Sequence, residues 1–421
     1  MSTTTRSRRQ HVVSAAVLLL LTTTVPRDRL TAQQSHDHDS GLRADPAGCT
    51  DATLSCASYA TPFFDRTGRL WLAWSGNGHV GVSVSTDRAR SFAPPVLVTR
   101  EAVRLDNGPD ERPQVVVDGE GRVAVAFAIF KDDRMNGQIF TAASVDGGRS
   151  FGAPRPITDD GSSQRFVTLN VDPDGTLFAA WIDKRHVVAA RAAGTDFAGA
   201  SLAVARSHDG GARFDVARIA KDNICECCRL AVAPAGAGRP AVVFRNIFGG
   251  ERDHAVITFA ADGTPGPVSR VSEDHWAIDA CPHHGPSLAI ADDGSYHVAW
   301  FSGGGVRQGA FYARSTDGGR SFSTPVPLAD TGHRSTRPYV RTQGSDVWLA
   351  WKEFDGERTS VLSRVSHDRG TTWGPARIIA GTSDFSDHPI LTGDGRQVYL
   401  SWLTRLEGYR LIPLTLLGES R

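Results

Sequence analysis

The 421-residue chain has no excess charge of either sign, with 46 Lys and Arg against 46 Asp and Glu. It therefore lacks the long-range field that draws a protein to nucleic acid or to an anionic membrane, and nucleic acid is set aside as a partner. It also lacks an apolar run of the ~20 residues that span a bilayer. The one candidate, Val12 to about Leu21, follows the basic start "MSTTTRSRRQH" and is too short, so it reads as the core of an export signal. Cleavage after Ala32, in "LTAQQ", would leave a secreted or periplasmic protein with no membrane span. No cysteine follows the run closely enough for a lipid-anchored start, and "SRRQHV" faintly resembles a twin-arginine signal. The segment 33–58 is polar, and its His36 and His38 read as part of a solvated tail rather than as a metal site.

Hydrophobic residues make up 40% of the chain, enough for a buried core, while 43 Gly and 22 Pro point to many turns and short strands. The expectation is an all-β protein. From residue 59 onward the chain repeats itself: "STDRARSF" from Ser85, "SVDGGRSF" from Ser144, "SHDGGARF" from Ser207, "STDGGRSF" from Ser315 and "SHDRGTTW" from Ser366. The spacings are 59, 63, 108 and 51; the 108 is a doubled step in which "TFAADGTP", from Thr258, stands as a worn copy. Periods of this size, with alternating strands in each unit, indicate a β-propeller. Each unit reads as strand, Asp-Gly turn, strand, loop, strand, repeat motif, strand, which is one four-stranded blade. First strands begin near Tyr59, Pro113, Phe166, Arg229, Pro286, Pro338 and Pro389, giving seven blades over 59–421, with six the alternative if one unit is irregular. The last unit holds only three strands, and a fourth from residues 43–58 would close the ring and remove its open edges.

The pattern Ser-x-Asp-x-Gly-x-(Ser/Thr)-(Trp/Phe) resembles the Asp box, or bacterial neuraminidase repeat, of the sialidase-like propellers. That resemblance covers nearly all of 59–417 and implies the fold, since the same box serves glycosidases, receptors and assembly factors alike. On physical grounds Asp87, Asp146, Asp209, Asp317 and Asp368 are turn staples. A short side chain accepts backbone N–H groups a few residues on, Gly supplies positive φ, and five carboxylates on five blades cannot converge on one substrate.

Chemistry in a propeller gathers where loops lead into the innermost strands. In those loops Arg112, Arg165, Arg229 and Arg337, with His388, are candidates to grip a small anionic or glycan ligand; the bland alternative pairs each Arg with a loop carboxylate. The family resemblance implies three Arg on a substrate carboxylate and a Tyr nucleophile assisted by Glu, a role for which Tyr339 and Glu353 are the candidates. The family's "FRIP" signature is missing: the first unit starts "YATPFFD", and "ERPQV" from Glu111 echoes the signature one blade late. An exo-α-sialidase-type glycoside hydrolase is therefore the alternative function, and a glycan- or protein-binding propeller the third.

Six cysteines complete the inventory. Cys49 and Cys56 suit a small-loop disulfide in an oxidising compartment. Cys225, Cys227 and Cys228 in "NICECCR" and Cys281, followed by His283 and His284 in "CPHH", occupy equivalent loops of consecutive blades. Asp274, His275 and Asp279 lie just upstream. One reading makes the four Cys inter-loop disulfides and another a redox dithiol. The favoured one is a soft-metal site of Cys225, Cys227, Cys228, Cys281, His283 and His284 for copper, with zinc second. Three Cys within four residues are poorly spaced for independent disulfides, because adjacent extended residues point apart. The functional expectation is an exported, monomeric propeller that handles a metal ion at its mouth.

Overall fold

A computed structural model describes residues 1–2, 49–236, 238–329 and 335–414. The chain divides into two compact units, 1–36 and 37–421. The apolar run, the cleavage position and the tail with His36 and His38 lie outside the described residues, and the fold is that of the second unit. Among the described residues no helix is long and apolar enough to cross a membrane.

The unit is almost entirely antiparallel β. The first sheet joins β1 (Tyr59–Phe64), β2 (Leu70–Gly76), β3 (His79–Ser85) and β4 (Val96–Leu97), and the second β5 (Gln114–Val117), β6 (Val123–Phe130), β7 (Gly137–Ser144) and β8 (Arg155–Pro156). Next come β9 (Gln164–Val171), β10 (Leu177–Asp183), β11 (Ala200–Ser207) and β12 (Arg218–Ile224), with the helix α1 (Arg185–Ala193) inserted between β10 and β11. One pairing, Ile224 opposite Asn246, joins these to β13 (Ala231–Pro234), β14 (Pro240–Phe248), β15 (Glu251–Phe259) and β16 (Pro265–Arg270). Then come β17 (Ser287–Ile290), β18 (Tyr296–Gly303), β19 (Gln308–Ser315) and β20 (Val326–Pro327), and after them β21 (Ser335–Gln343), β22 (Asp346–Phe354), β23 (Thr359–Ser366) and β24 (Arg377–Thr382). The last sheet has three strands, β25 (Ile390–Gly393), β26 (Val398–Thr404) and β27 (Gly408–Pro413).

First strands touch in order: β1 meets β5, β5 meets β9, then β13, β17, β21 and β25, and β25 meets β1. The apolar core lies between consecutive sheets. Second strands such as "VAVAFAIF" are buried on both faces because each sheet is covered on both sides, which suits continuous runs of small and β-branched residues. A large ring recurs near the end of these strands, at Trp74, Trp181, Phe244, Trp300, Trp351 and Trp402, all fully buried. Each indole N–H finds an acceptor, among them Asp183, Asp274, Glu353 and the Asp387 carbonyl. Leu403, Tyr409 and Leu411 of the last sheet pack with Leu70, Leu72 and Trp74 of the first.

The five repeats build one turn. In every copy the Ser hydroxyl donates to the Asp Oδ1, at 2.7–2.9 Å, and accepts the backbone N–H four residues on. The Asp Oδ1 in turn accepts the N–H four residues beyond itself. The third and fourth positions of this turn beyond Ser have positive φ even where the residue is Arg88, Ala89 or Arg369. Hydrogen bonds from the Ser91 hydroxyl and backbone hold the Asp87 carboxyl down to about 2. In an antiparallel meander, connections between strands one and two and between three and four share one end. The repeated turns therefore lie opposite the lead-in loops, and the aspartates are scaffolding.

Where residues 43–58 were expected to add a strand, the described part, 49–58, holds a 3₁₀ turn at Leu54–Cys56 and the Cys49–Cys56 disulfide. Leu54 packs into the cluster between the first and last sheets, and the Ser58 N–H donates to the Ser75 carbonyl of β2 at 2.9 Å; residues 43–48 lie outside the described residues.

Candidate metal centre

The lead-in loops bring together many buried charges. Arg112 is 3% exposed and its guanidinium grips Asp387 through both nitrogens, Nη1 to Oδ2 at 3.0 Å and Nη2 to Oδ1 at 2.5 Å. The remaining guanidinium bonds go to the carbonyls of Ala60 and Pro109. Arg337 reaches Asp110 Oδ2 at 3.1 Å and the His283 carbonyl, and Arg229 reaches the carbonyls of Gly285 and Pro286 and His388 Nδ1 at 3.3 Å. Asp110 Oδ1 lies 3.8 Å from both Arg229 and His388. Arg165 stands apart, paired with Asp106 through both oxygens. Each of the four arginines thus already has acceptors, and Arg112, Arg229, Arg337 and His388 meet around Asp110 and Asp387. Burial drives His388 well below the ordinary histidine range, helped by the surrounding cations, so its ring is neutral. Burial raises Glu111 well above the usual carboxylate range, reinforced by Asp106.

Tyr339 lines an axial channel of about 540 Å³ together with Arg112, Arg229 and Arg341, and the Arg229 guanidinium stands 5.9 Å from its ring centroid. Glu353 is elsewhere. It pairs with Ser335 across β21 and β22, whereas Tyr339 pairs with Ala350, and its Oε1 accepts the Trp351 indole at 2.7 Å. The register separates the two by three residues along a strand, roughly 10 Å at the strand rise.

The thiols are drawn together. Leaving β12, the chain turns at Cys225, whose N–H donates to the Arg245 carbonyl at 2.8 Å and so fixes the loop on β14. Cys225 Sγ lies 3.6 Å from Cys227 Sγ and 3.8 Å from Cys228 Sγ, and the three sulfurs fall within 4.8 Å of one another. All three are buried free thiols, 2%, 2% and 1% exposed, and Cys281, half-buried, packs against them. The S–H groups of Cys227 and Cys228 lower the Cys225 thiol well below its ordinary value, while the same contacts raise the other two.

The two histidines of "CPHH" do not join the group. The His283 ring sits against Phe166 at 6.0 Å, and the His284 ring stacks on Phe301 at 4.1 Å; each hands a backbone carbonyl to an arginine, His283 to Arg337 and His284 to Arg245. Asp274 accepts the Trp300 indole, His275 faces Glu251, and Asp279 is exposed, 3.9 Å from Arg252. Four lead-in residues, Phe166, Asn223, His283 and Arg337, hold positive φ, a strain that accumulates where loops are over-determined by their surroundings.

Three further residues border the thiols that no sequence motif marks. Arg252 Nη1 lies 3.8 Å from Cys225 Sγ and 3.2 Å from the Ala280 carbonyl. Arg245, 1% exposed, lies over the Trp276 ring at 4.1 Å, and its Nε and Nη1 have no hydrogen-bond partner. His254 sits opposite it on β15, also buried, with Nε2 unpartnered, and burial holds it well below its ordinary value. A charged residue inside "AVVFRNIF" and "ERDHAVITF", strands otherwise apolar at their centres, is the signal that could have found them.

No family model matches the chain, and no curated protein does. Among solved structures it is similar to an ulvan lyase of a polysaccharide-lyase family, with TM-score 0.55, 8% identity and coverage of 84% of this chain and 90% of that one. It is also similar to a protein of unknown function from Dyadobacter fermentans (TM-score 0.49, 17% identity, 74% of this chain and 95% of that one). A third is the leech intramolecular trans-sialidase (TM-score 0.49, 12% identity, 86% and 84%). At such identities likeness speaks to fold alone, and the lyase match carries it.

Proposed function

We propose that this chain is an exported seven-bladed β-propeller that holds a soft metal ion, copper(I) first and zinc(II) second, in the thiol group beside its mouth. The seven-blade ring is supported by the order in which first strands touch, ending with β25 on β1. The reading rests above all on three buried sulfurs within 4.8 Å of one another. Thiolates are soft donors, and a trigonal set of three suits cuprous ion, whereas zinc prefers four ligands and would need Cys281 as well.

Charge supports the same reading. A buried guanidinium with two unpartnered nitrogens is costly unless an anion faces it. Three thiolates around a monovalent ion carry two negative charges, which Arg245 and Arg252 would balance. Elemental analysis of protein purified anaerobically under reducing conditions should give near-stoichiometric copper or zinc; metal-free protein without titratable thiols would instead support disulfides.

A second reading is glycoside hydrolysis, favoured by Tyr339 lining the channel beside Arg229. Its separation from Glu353 weighs against it. Cleavage of a fluorogenic sialoside that disappears in Tyr339→Phe would establish it.

A further inference from the structure

The four thiols differ in their access to solvent. Cys225, Cys227 and Cys228 are sealed, while Cys281 is half-buried and rests against them from the neighbouring loop. One guanidinium spans the two loops: Arg252 donates to the Ala280 carbonyl, next to Cys281, and lies 3.8 Å from Cys225 Sγ. The backbone N–H of Arg252 also holds the Trp276 carbonyl, which anchors the start of the Cys281 loop. An ion bound by the three sealed sulfurs has to arrive from outside, and Cys281 is the free thiol that both packs on the group and reaches solvent.

We infer that Cys281 is the receiving thiol, which takes cuprous ion from an external soft-donor complex and passes it inward, and that it is not a permanent ligand. The inference rests on the metal-binding reading above. In the first exchange a Cu–S bond to Cys281 forms as one bond to the external donor breaks, and the thiol proton leaves to that donor or to buffer. In the second, bonds to the buried sulfurs form as the remaining bond to the external donor and then the one to Cys281 break. Cys281 recovers a proton and each buried thiol gives one up. Copper stays monovalent, so no electron acceptor is needed. The external partner is defined by this chemistry: a complex that presents Cu(I) on exchangeable soft donors. Such associative exchange depends on access, which the sealed group lacks toward solvent.

The test is anaerobic uptake of Cu(I) by the full reduced chain from its bathocuproine disulfonate complex, read by the loss of the complex's colour. Cys281→Ser should reach the same final copper content as the parent but about tenfold or more slowly, as expected when an exchange loses its accessible thiol. Equal melting temperatures of the two metal-free proteins exclude a folding defect. Cys281→Met, which restores a soft donor, should recover the rate. Unchanged kinetics in Cys281→Ser would overturn the inference, and so would loss of bound copper from it, since that makes Cys281 a resident ligand. Failure of the parent chain to take up any copper would instead remove the metal-binding reading, and the relay with it.

Discussion

At the scale of single residues, the most informative side chain is Arg245. It is sealed against the Trp276 ring with Nε and Nη1 unpartnered, so its charge is incompletely matched by the fold and would be matched by a neighbouring anion. Arg245→Met should therefore leave the melting temperature of the metal-free protein unchanged or raise it, while lowering metal affinity about 10- to 100-fold, the usual effect of losing a group that supports metal ligands. Competition with a chelator measures the second effect. An Arg245 that served stability alone would reverse this pattern. The cysteines of this site were legible in the sequence because thiols are rare and closely spaced. Arg245 and His254 were not, because nothing local tells which way a strand residue's charge faces. The directions of His283 and His284 were equally hidden: backbone dihedrals in an irregular loop, with His283 at φ 47°, decide where the rings go.

His297 couples stability to acid pH. Burial pushes His297 from 6.5 down to about 4, with Asp293 opposing and Arg314 assisting; its ring faces the Ser295 hydroxyl at 2.9 Å and the Tyr312 hydroxyl at 2.7 Å. The unfolded chain binds this proton more readily than the fold does. The contribution of neutral His297 is thus complete above pH 6.5 and lost as pH falls toward about 4. Across that window the unfolding free energy of the parent should drop by up to about 3 kcal/mol more than that of His297→Gln. Denaturant titrations at several pH values read the difference, and parallel curves would contradict it.

At the scale of elements, the repeated turn explains why the strands were easy to find and what limits substitution in them. Its bonds run between residues two to four apart, so the sequence carries the whole motif. Contacts across sheets add a constraint that local reading misses. Gly370, at φ 77°, would place a Cβ on the Tyr312 hydroxyl of the preceding sheet, the same hydroxyl that holds His297. Gly370→Ala should cost about 2–3 kcal/mol by denaturant unfolding, combining a strained backbone with overpacking. It should leave metal content unchanged, since the turn lies at the opposite end from the thiols.

At the scale of the whole molecule, the first and last sheets meet at a charged clasp. Asp387, ahead of β25, accepts the Ala60 N–H of β1 at 3.2 Å and both nitrogens of Arg112, which leads into β5. One carboxylate so ties three sheets, and it is 1% exposed. Asp387→Ala leaves Arg112 buried and unpaired and should cost about 3–5 kcal/mol in denaturant unfolding, whereas the double variant Arg112→Met/Asp387→Leu should recover much of that loss. An Asp387→Ala protein as stable as the parent would mean that the sheets are held by apolar packing alone. The repeat period made the antiparallel sheets legible, but a clasp between positions 275 residues apart has no local signature.

On the proposed function the buried thiols hold one soft ion. X-ray absorption at the copper edge of anaerobically reconstituted protein reads that ion's ligand shell. The expected result is one Cu(I) per chain with a shell of three sulfurs, lost in Cys228→Ser. A shell of nitrogen and oxygen donors, or undiminished copper in Cys228→Ser, would contradict it.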